Sequence, residues 1–362
     1  MKKITSFIFL TIFAATCAQA KSPFEGNWII DRYDPAIGGT LTIENCKKDV
    51  CNFDILTQNG SHICSFEGEI KIRGNEAEYK TIVKNIFNED SEFLINFKLN
   101  QEKNIITVAG EGYHLAYCGF RGYFEGEYEN ENNPLRYETG FDCWAKNLTD
   151  TEKTVCANEF IAGADKEISL KYKDVMPLGW KKERDKCKTD VNCLWEFYSN
   201  YIHYGYERVT GKTLNLYEYM GSLDDDKFYT PTDFALIGKY LQENMEEEDY
   251  KSWIRAFGVM SLDDCHDCHF LTYGLPGLFT SVESAFYIDK DDLWVAFLHE
   301  DLENDKNNYI VMYALKGKTI NDIPEKYNDW LVRLKQFFSK EIKLKHFINP
   351  INSEDYNNSK IP

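Results

Sequence analysis

The sequence predicts a multidomain α+β protein: an antiparallel β-barrel-like domain, then a disulfide-stapled three-helix module, then a C-terminal α+β domain with an antiparallel meander. Three observations predict it. Apolar residues recur with period two between residues 22 and 129 and at helical spacing between 149 and 201, and both patterns occur in turn beyond 222. The cysteines after residue 20 fall into even groups along the same stretches: Cys46, Cys51, Cys64 and Cys118, then Cys143, Cys156, Cys187 and Cys193, then Cys265 and Cys268. Even groups in an exported chain predict disulfides closed within each domain.

Export is predicted by the opening MKKITSFIFLTIFAATCAQA. Lys2 and Lys3, the apolar run Ile4 to Ala15 and the triplet Ala18-Gln19-Ala20 make residues 1–20 a cleaved signal peptide, so the protein is expected to begin at Lys21 and to be periplasmic or secreted. The run is too short to cross a bilayer, which takes about 20 apolar residues, and no membrane span is expected later. Cys17 leaves with the signal, because Ala14-Ala15-Thr16 lacks the large apolar residue expected before a lipidation cysteine.

Without Lys2 and Lys3, 39 basic residues face 59 acidic ones, a net charge of −20. The charge is uneven: −7 over residues 21–130, −1 over 141–206 and −11 over 221–362. Such a surface disfavours nucleic acid and anionic membranes and favours a basic partner. It also keeps an exported protein soluble.

The first domain is expected over 21–130. Phe93, Ile95, Phe97 and Leu99 share one strand face, and Phe124, Gly126 and Tyr128 alternate with Glu125, Glu127 and Glu129. About eight such runs close most simply as a small barrel or sandwich. Gly26-Asn27-Trp28 resembles the Gly-x-Trp start of lipocalin-type barrels. Cys46 and Cys51 flank a four-residue hairpin loop and are expected to bridge across it, which leaves Cys64 to Cys118.

Residues 131–140, polar and holding Pro134, read as a linker. The helical module is expected over 141–206. Thr149-Asp150-Thr151-Glu152 is a capping box, and Val155, Ile161, Ala164, Ile168 and Tyr172 carry an apolar stripe as far as Lys173. Met176-Pro177-Leu178-Gly179 breaks it. Further helices are expected from Trp180 to Lys186 and from Cys193 through Tyr201. Helices this short bury little apolar area, so bridges are the expected supplement. Short closable loops favour Cys143–Cys156 with Cys187–Cys193, and crossed pairs are the alternative.

A second linker is expected over 207–222 and an α+β domain over 223–349. Thr230-Pro231-Thr232-Asp233 starts a helix through Leu241, and another covers about 247 to 257. Strands at 285–288, 293–298 and 309–315 form the meander, a helix from about 323 to 338 follows, and 350–362 is a polar tail.

In the module, Phe141-Asp142-Cys143, Thr149, Glu152, Cys156, Asp165 and Tyr172 are followed by Trp180-x-x-x-Arg184-Asp185-x-Cys187, Cys193-Leu194 and Tyr198. This combination resembles the LprI-type lysozyme-inhibitor domain over roughly 141–205. The resemblance implies an exported, helical, disulfide-bonded module and gives Asp142, Glu152, Asp165, Tyr172, Trp180, Arg184, Asp185 and Tyr198 structural roles. The family is named for members that inhibit lysozyme. Here a β-rich domain precedes the module instead of following it, so no inhibitory residue carries over.

Two motifs compete with that reading. Cys265-His266-Asp267-Cys268-His269 fits the attachment pattern of c-type haem, with His269 as an axial ligand, or a metal site. It is solitary and lies in a Gly- and acid-rich stretch, so a local Cys265–Cys268 bridge is expected instead. Thr210-Gly211-Lys212-Thr213 lacks the first glycine of a phosphate loop, because Tyr206 stands there. No cofactor or catalytic constellation is expected. The sequence therefore predicts a non-enzymatic binding protein of the cell envelope, with a basic lysozyme-type muramidase as its expected partner. The alternative is a small apolar ligand held inside the barrel.

Overall fold

The structure is a computed structural model and describes residues 22–32, 37–60, 62–85, 87–112, 117–119, 122–223, 231–263, 265–275, 282–299, 309–337 and 341–348. The expected signal peptide, the acidic run Asp224-Asp225-Asp226 and the expected tail lie outside them.

Eight strands close into an antiparallel barrel in sequence order: β1 (Gly26–Ile30), β2 (Ile37–Lys47), β3 (Val50–Asn59), β4 (His62–Arg73), β5 (Glu76–Lys84), β6 (Asp90–Asn100), β7 (Ile105–Gly112) and β8 (Gly126–Asn130), which returns to β1. The alternation decides which side faces in. In β3, Cys51, Phe53, Ile55 and Thr57 are buried while Asn52, Asp54, Leu56 and Gln58 are exposed. Rings fill the interior: Phe53 meets Tyr79 at 5.0 Å and Phe97 at 5.3 Å, and Phe66 meets Phe124 at 4.9 Å, all edge to face. Trp28 is buried among them, its indole donating to the Phe24 carbonyl at 3.0 Å. Cys46–Cys51 closes the β2–β3 turn, and Cys64–Cys118 ties β4 to the segment before β8.

Residues 131–140 have no helix or strand, yet they are fastened at both ends. The Asn133 amide donates to the Lys103 and Asn104 carbonyls at 3.1 Å, and Arg32 donates to the Asn133 carbonyl at 2.8 Å. Further on, the Tyr137 N–H donates to the Cys156 carbonyl at 2.8 Å.

The expected single helix from Thr149 to Lys173 is broken. α1 (Asp150–Cys156) begins at the capping box as read, but Asn158 caps a second helix, α2 (Glu159–Glu167), by accepting from the Ile161 N–H at 3.2 Å. The Cys143–Cys156 bridge pins the last residue of α1, and α2 sets off from the new cap. A π-turn (Ile168–Tyr172) and a 3-10 turn (Lys173–Val175) finish the segment. α3 (Trp180–Arg184) runs into a 3-10 turn ending at Cys187, which bridges to Cys193. α4 (Val191–Thr210) starts earlier than read, because Asp190 caps it, and it runs past 206 to Gly211 in the left-handed region at φ 71°. The expected linker 207–222 thus holds the end of α4 and a further helix, α5 (Leu216–Ser222).

A 3-10 turn (Pro231–Phe234) leads into α6 (Ala235–Asn244), and α7 (Glu247–Ile254) follows. The expected three-stranded meander is the centre of a six-stranded sheet. β9 (Val259–Asp263), β10 (Cys268–Gly274), β11 (Glu283–Asp289), β12 (Leu293–His299) and β13 (Tyr309–Ala314) are antiparallel neighbours in that order. β14 (Ile342–His346) adds a parallel edge strand after α8 (Tyr327–Phe337). Nearly every residue of β11, β12 and β13 is buried, because the sheet is covered on both faces.

One set of side chains, Phe286, Val295, Phe297 and Tyr313, packs with α2, α4, α6 and α7. The alternate set, Tyr287, Trp294, Ala296 and Met312, packs with Tyr327, Trp330 and Leu334 of α8. The helices before 206 and the sheet beyond 259 therefore share a core, which runs across the expected module boundary.

Candidate functional site

Of the residues that carry the family resemblance, Asp165, Tyr172, Arg184 and Tyr198 are buried, Glu152 and Trp180 are half-buried, and Asp142 and Asp185 are exposed. Asp165 on α2 and Arg184 at the end of α3 are each 1% exposed. The Tyr198 hydroxyl of α4 donates to Asp165 Oδ1 at 2.7 Å, and the Arg184 guanidinium is near enough for its charge to act on both. Arg184 also donates to Asp185 Oδ1, from Nε at 2.9 Å and Nη2 at 2.7 Å, and lies 3.6 Å from Glu152. Glu152 is the same residue that closes the α1 capping box. Burial works against its charge, but the Thr149 N–H and hydroxyl and then Arg184 hold its carboxyl below the ordinary range. Asp165 moves the other way, raised by burial despite the bonds from Tyr198 and the Gly140 N–H.

Two close backbone approaches make this arrangement possible. A Cβ on Gly140 would lie 1.9 Å from the Ser169 hydroxyl, so only glycine lets that N–H reach Asp165 at 2.9 Å. A Cβ on Gly205 would meet the Tyr172 ring at 2.5 Å, so α4 passes directly over it. Trp180 completes the knot by stacking on Phe197 at 6.2 Å and meeting Tyr198 edge-on at 6.4 Å. Asp142 lies to one side, accepting from the Trp144 N–H at 2.8 Å.

Above the knot lies an open cleft of about 470 Å³ between residues 136–144, α2 and the 3-10 turn before α6. The Arg136 guanidinium covers the Trp144 ring at 3.9 Å, and Lys103 of the barrel lies 5.6 Å from the same ring. Lys146 pairs with Glu102, a second barrel contact. On the other wall, Lys166 bonds Glu138 at 2.5 Å and stands 3.9 Å from Asp233. Glu159 opens α2 on the same cleft, and burial raises its carboxyl above the ordinary range.

The sequence motifs include Phe141, Asp142 and Cys143 of this cleft, and Asp233 only as a helix-start residue, but none of Arg136, Glu159 or Lys166. The cleft residues lie in a linker, on a helix and in a turn far along the chain, so no local spacing joins them. Trp144, one residue beyond the Phe-Asp-Cys motif, was the available signal.

Elsewhere, Cys265 and Cys268 are bonded to each other across the β9–β10 turn, and the His269 ring packs 5.5 Å from Tyr217 of α5. Among the described residues no three His, Cys, Asp or Glu side chains converge as metal ligands, and no helix is long and apolar enough to cross a membrane. Compared with protein-family models, with curated proteins and with solved structures, the chain matches none.

Proposed function

We propose that this chain is an exported binding protein of the cell envelope that inhibits a basic lysozyme-type muramidase by covering its cleft, without chemistry of its own. The observation that carries this reading is the Asp165–Tyr198–Arg184 knot. Asp165, Arg184 and Tyr198, three of the residues that resemble an LprI-type module, are buried together, as structural residues of such a module would be. They hold the helices together and leave binding to the surface.

Charge supports the same reading. A net −18 over the whole chain attracts a basic enzyme at long range and speeds encounter. The alternative, a small ligand inside the barrel, finds its space taken by the rings of Phe53, Phe66, Phe93 and Phe97.

The test is lysis of cell-wall substrate by a basic lysozyme with the oxidised protein added, alongside binding rates. Inhibition at micromolar protein is expected, with an on-rate that falls as the screening length drops from roughly 30 Å at 0.01 M salt to 8 Å at 0.15 M. Reduction of the bridges is expected to abolish it. Absence of binding at micromolar protein and low salt removes the reading.

A further inference from the structure

We infer that the turn before α3 and the aromatic row beside it dock the protein on the surface of an anionic phospholipid bilayer, with Leu178 entering the apolar layer. The inference goes beyond the proposed function and does not rest on it. The Trp180 N–H donates to the Pro177 carbonyl at 3.2 Å, which closes a β-turn, and Gly179 takes φ 82° at its third position. Leu178 stands at the second position and is fully exposed. A lone exposed leucine is ordinary. Its neighbours here are not.

Trp180 lies parallel to Phe197 at 6.2 Å and 6.1 Å from Tyr201, Phe197 stacks on Tyr201 at 4.3 Å, and Tyr204 follows at 6.3 Å. This row is half-buried as far as Tyr201 and exposed at Tyr204. Met176, from the other side of the turn, lies against the same stretch of α4, since a Cβ on Gly205 would stand 2.9 Å from its methyl. Apolar surface thus continues from the turn along the helix.

Charge names the occupant. Residues 170–188 carry seven basic residues against three acidic ones, a net +4 within a chain of −18. Arg184 is taken up by Asp185, Lys186 by Glu183 and Lys171 by the Ser222 carbonyl. Lys173, Lys181, Lys182 and Lys188 are exposed, and none of the four is in an ion pair among the described residues. Lys173 precedes the turn, and Lys181 and Lys182 follow it.

A leucine at the tip, Trp and Tyr behind it and lysines around them match the order in which a bilayer passes from hydrocarbon to headgroup to phosphate. Lysine stems reach the phosphates while the rings stay at headgroup level. A basic protein meets like charge here, and a neutral glycan leaves the lysines without partners and Leu178 in water. The acidic barrel and C-terminal half are repelled by the same membrane, which turns this patch toward it.

The test is sedimentation of the oxidised full chain, at low salt, with vesicles of phosphatidylglycerol and phosphatidylcholine in equal parts and with vesicles of phosphatidylcholine alone. Binding to the mixed vesicles and much weaker binding to the neutral ones is expected. Leu178 is fully exposed, so Leu178→Ser leaves the fold as it is; it is expected to weaken binding about tenfold or more, as loss of one buried apolar side chain does. Lys181→Ala with Lys182→Ala is expected to weaken it about 25-fold, fivefold for each lysine. Lys71→Ala with Lys98→Ala makes the same charge change on the outside of the barrel and is expected to change nothing. Brominated lipid is expected to quench the tryptophan fluorescence, and to quench it less in Trp180→Phe.

No sedimentation with the mixed vesicles, or equal binding by Leu178→Ser, overturns the inference. An equal loss in the barrel lysine pair overturns it too, since net charge alone would then be the cause. Retention on peptidoglycan sacculi without vesicle binding also overturns it and assigns the row of rings to a glycan.

Discussion

The barrel and the helix-and-sheet half solve the same problem with opposite materials. The barrel buries rings and aliphatic chains and puts its charges outside; among the described residues of its strands, Thr57 is the buried polar exception. The other half buries Asp165, Glu167, Arg184 and Glu283, each matched to a partner: Tyr198, Tyr219, Asp185 and Arg333 in turn. A period-two strand sorts its side chains without help, whereas helices that cross at one point must be told where to cross. Buried charges carry that information at a cost in desolvation, so the second half is expected to be the more fragile and the more responsive to pH.

The largest effect expected from breaking this contrast is that of Arg184→Met. Removing the cation leaves buried Asp165 with its Tyr198 and Gly140 bonds but without the Arg184 charge, and is expected to cost about 3–5 kcal/mol. Hydrogen exchange should lose protection in α2, α3 and α4 and keep it in β2 to β7. Equal loss in the barrel would mean that the two halves are not separate in stability.

Replacing Cys64 and Cys118 together by Ala should invert the pattern. The bridge closes a sequence separation of 54 residues, and its loss is expected to cost about 2–4 kcal/mol, confined to the barrel strands. Urea unfolding followed by the same exchange readout checks it.

The smallest effect concerns Glu159. An unfolded Glu titrates near 4.5, and burial raises the folded value above that. Folding therefore favours the neutral carboxyl, a benefit complete below the unfolded value and lost as pH rises through the folded one. Glu159→Gln is expected to raise Tm by about 2–4 °C at pH 7, the shift that about 1 kcal/mol makes in a domain of this size. The gain should vanish below pH 4. A gain of equal size at both pH values would mean that charge is not the cause.

Much of the barrel was legible. Alternation through Phe93, Ile95, Phe97 and Leu99 named the inward face, and the four-residue loop between Cys46 and Cys51 named a bridge. The Thr149–Glu152 box placed the start of α1. Asn158 was legible in principle, since it is a good N-cap, but the apolar stripe runs across it and hides the break. β9, β10 and β14 were missed because a half-buried strand next to a turn, or at the edge of a sheet, carries little periodic signal. The cleft was missed because Arg136, Glu159 and Lys166 each look ordinary in their own stretches of chain.

The sequence by itself determined what depends on neighbours along the chain: strand faces, caps, turn glycines and the bridges across short loops. Only the tertiary structure decided that α2 and α4 share a core with a six-stranded sheet, that Asp165, Tyr198 and Arg184 are buried together, and that the Glu159 carboxyl at the start of α2 is raised by burial. The physical reason is that periodicity is a local property, whereas the cost of a buried charge depends on whatever distant segment comes to lie against it.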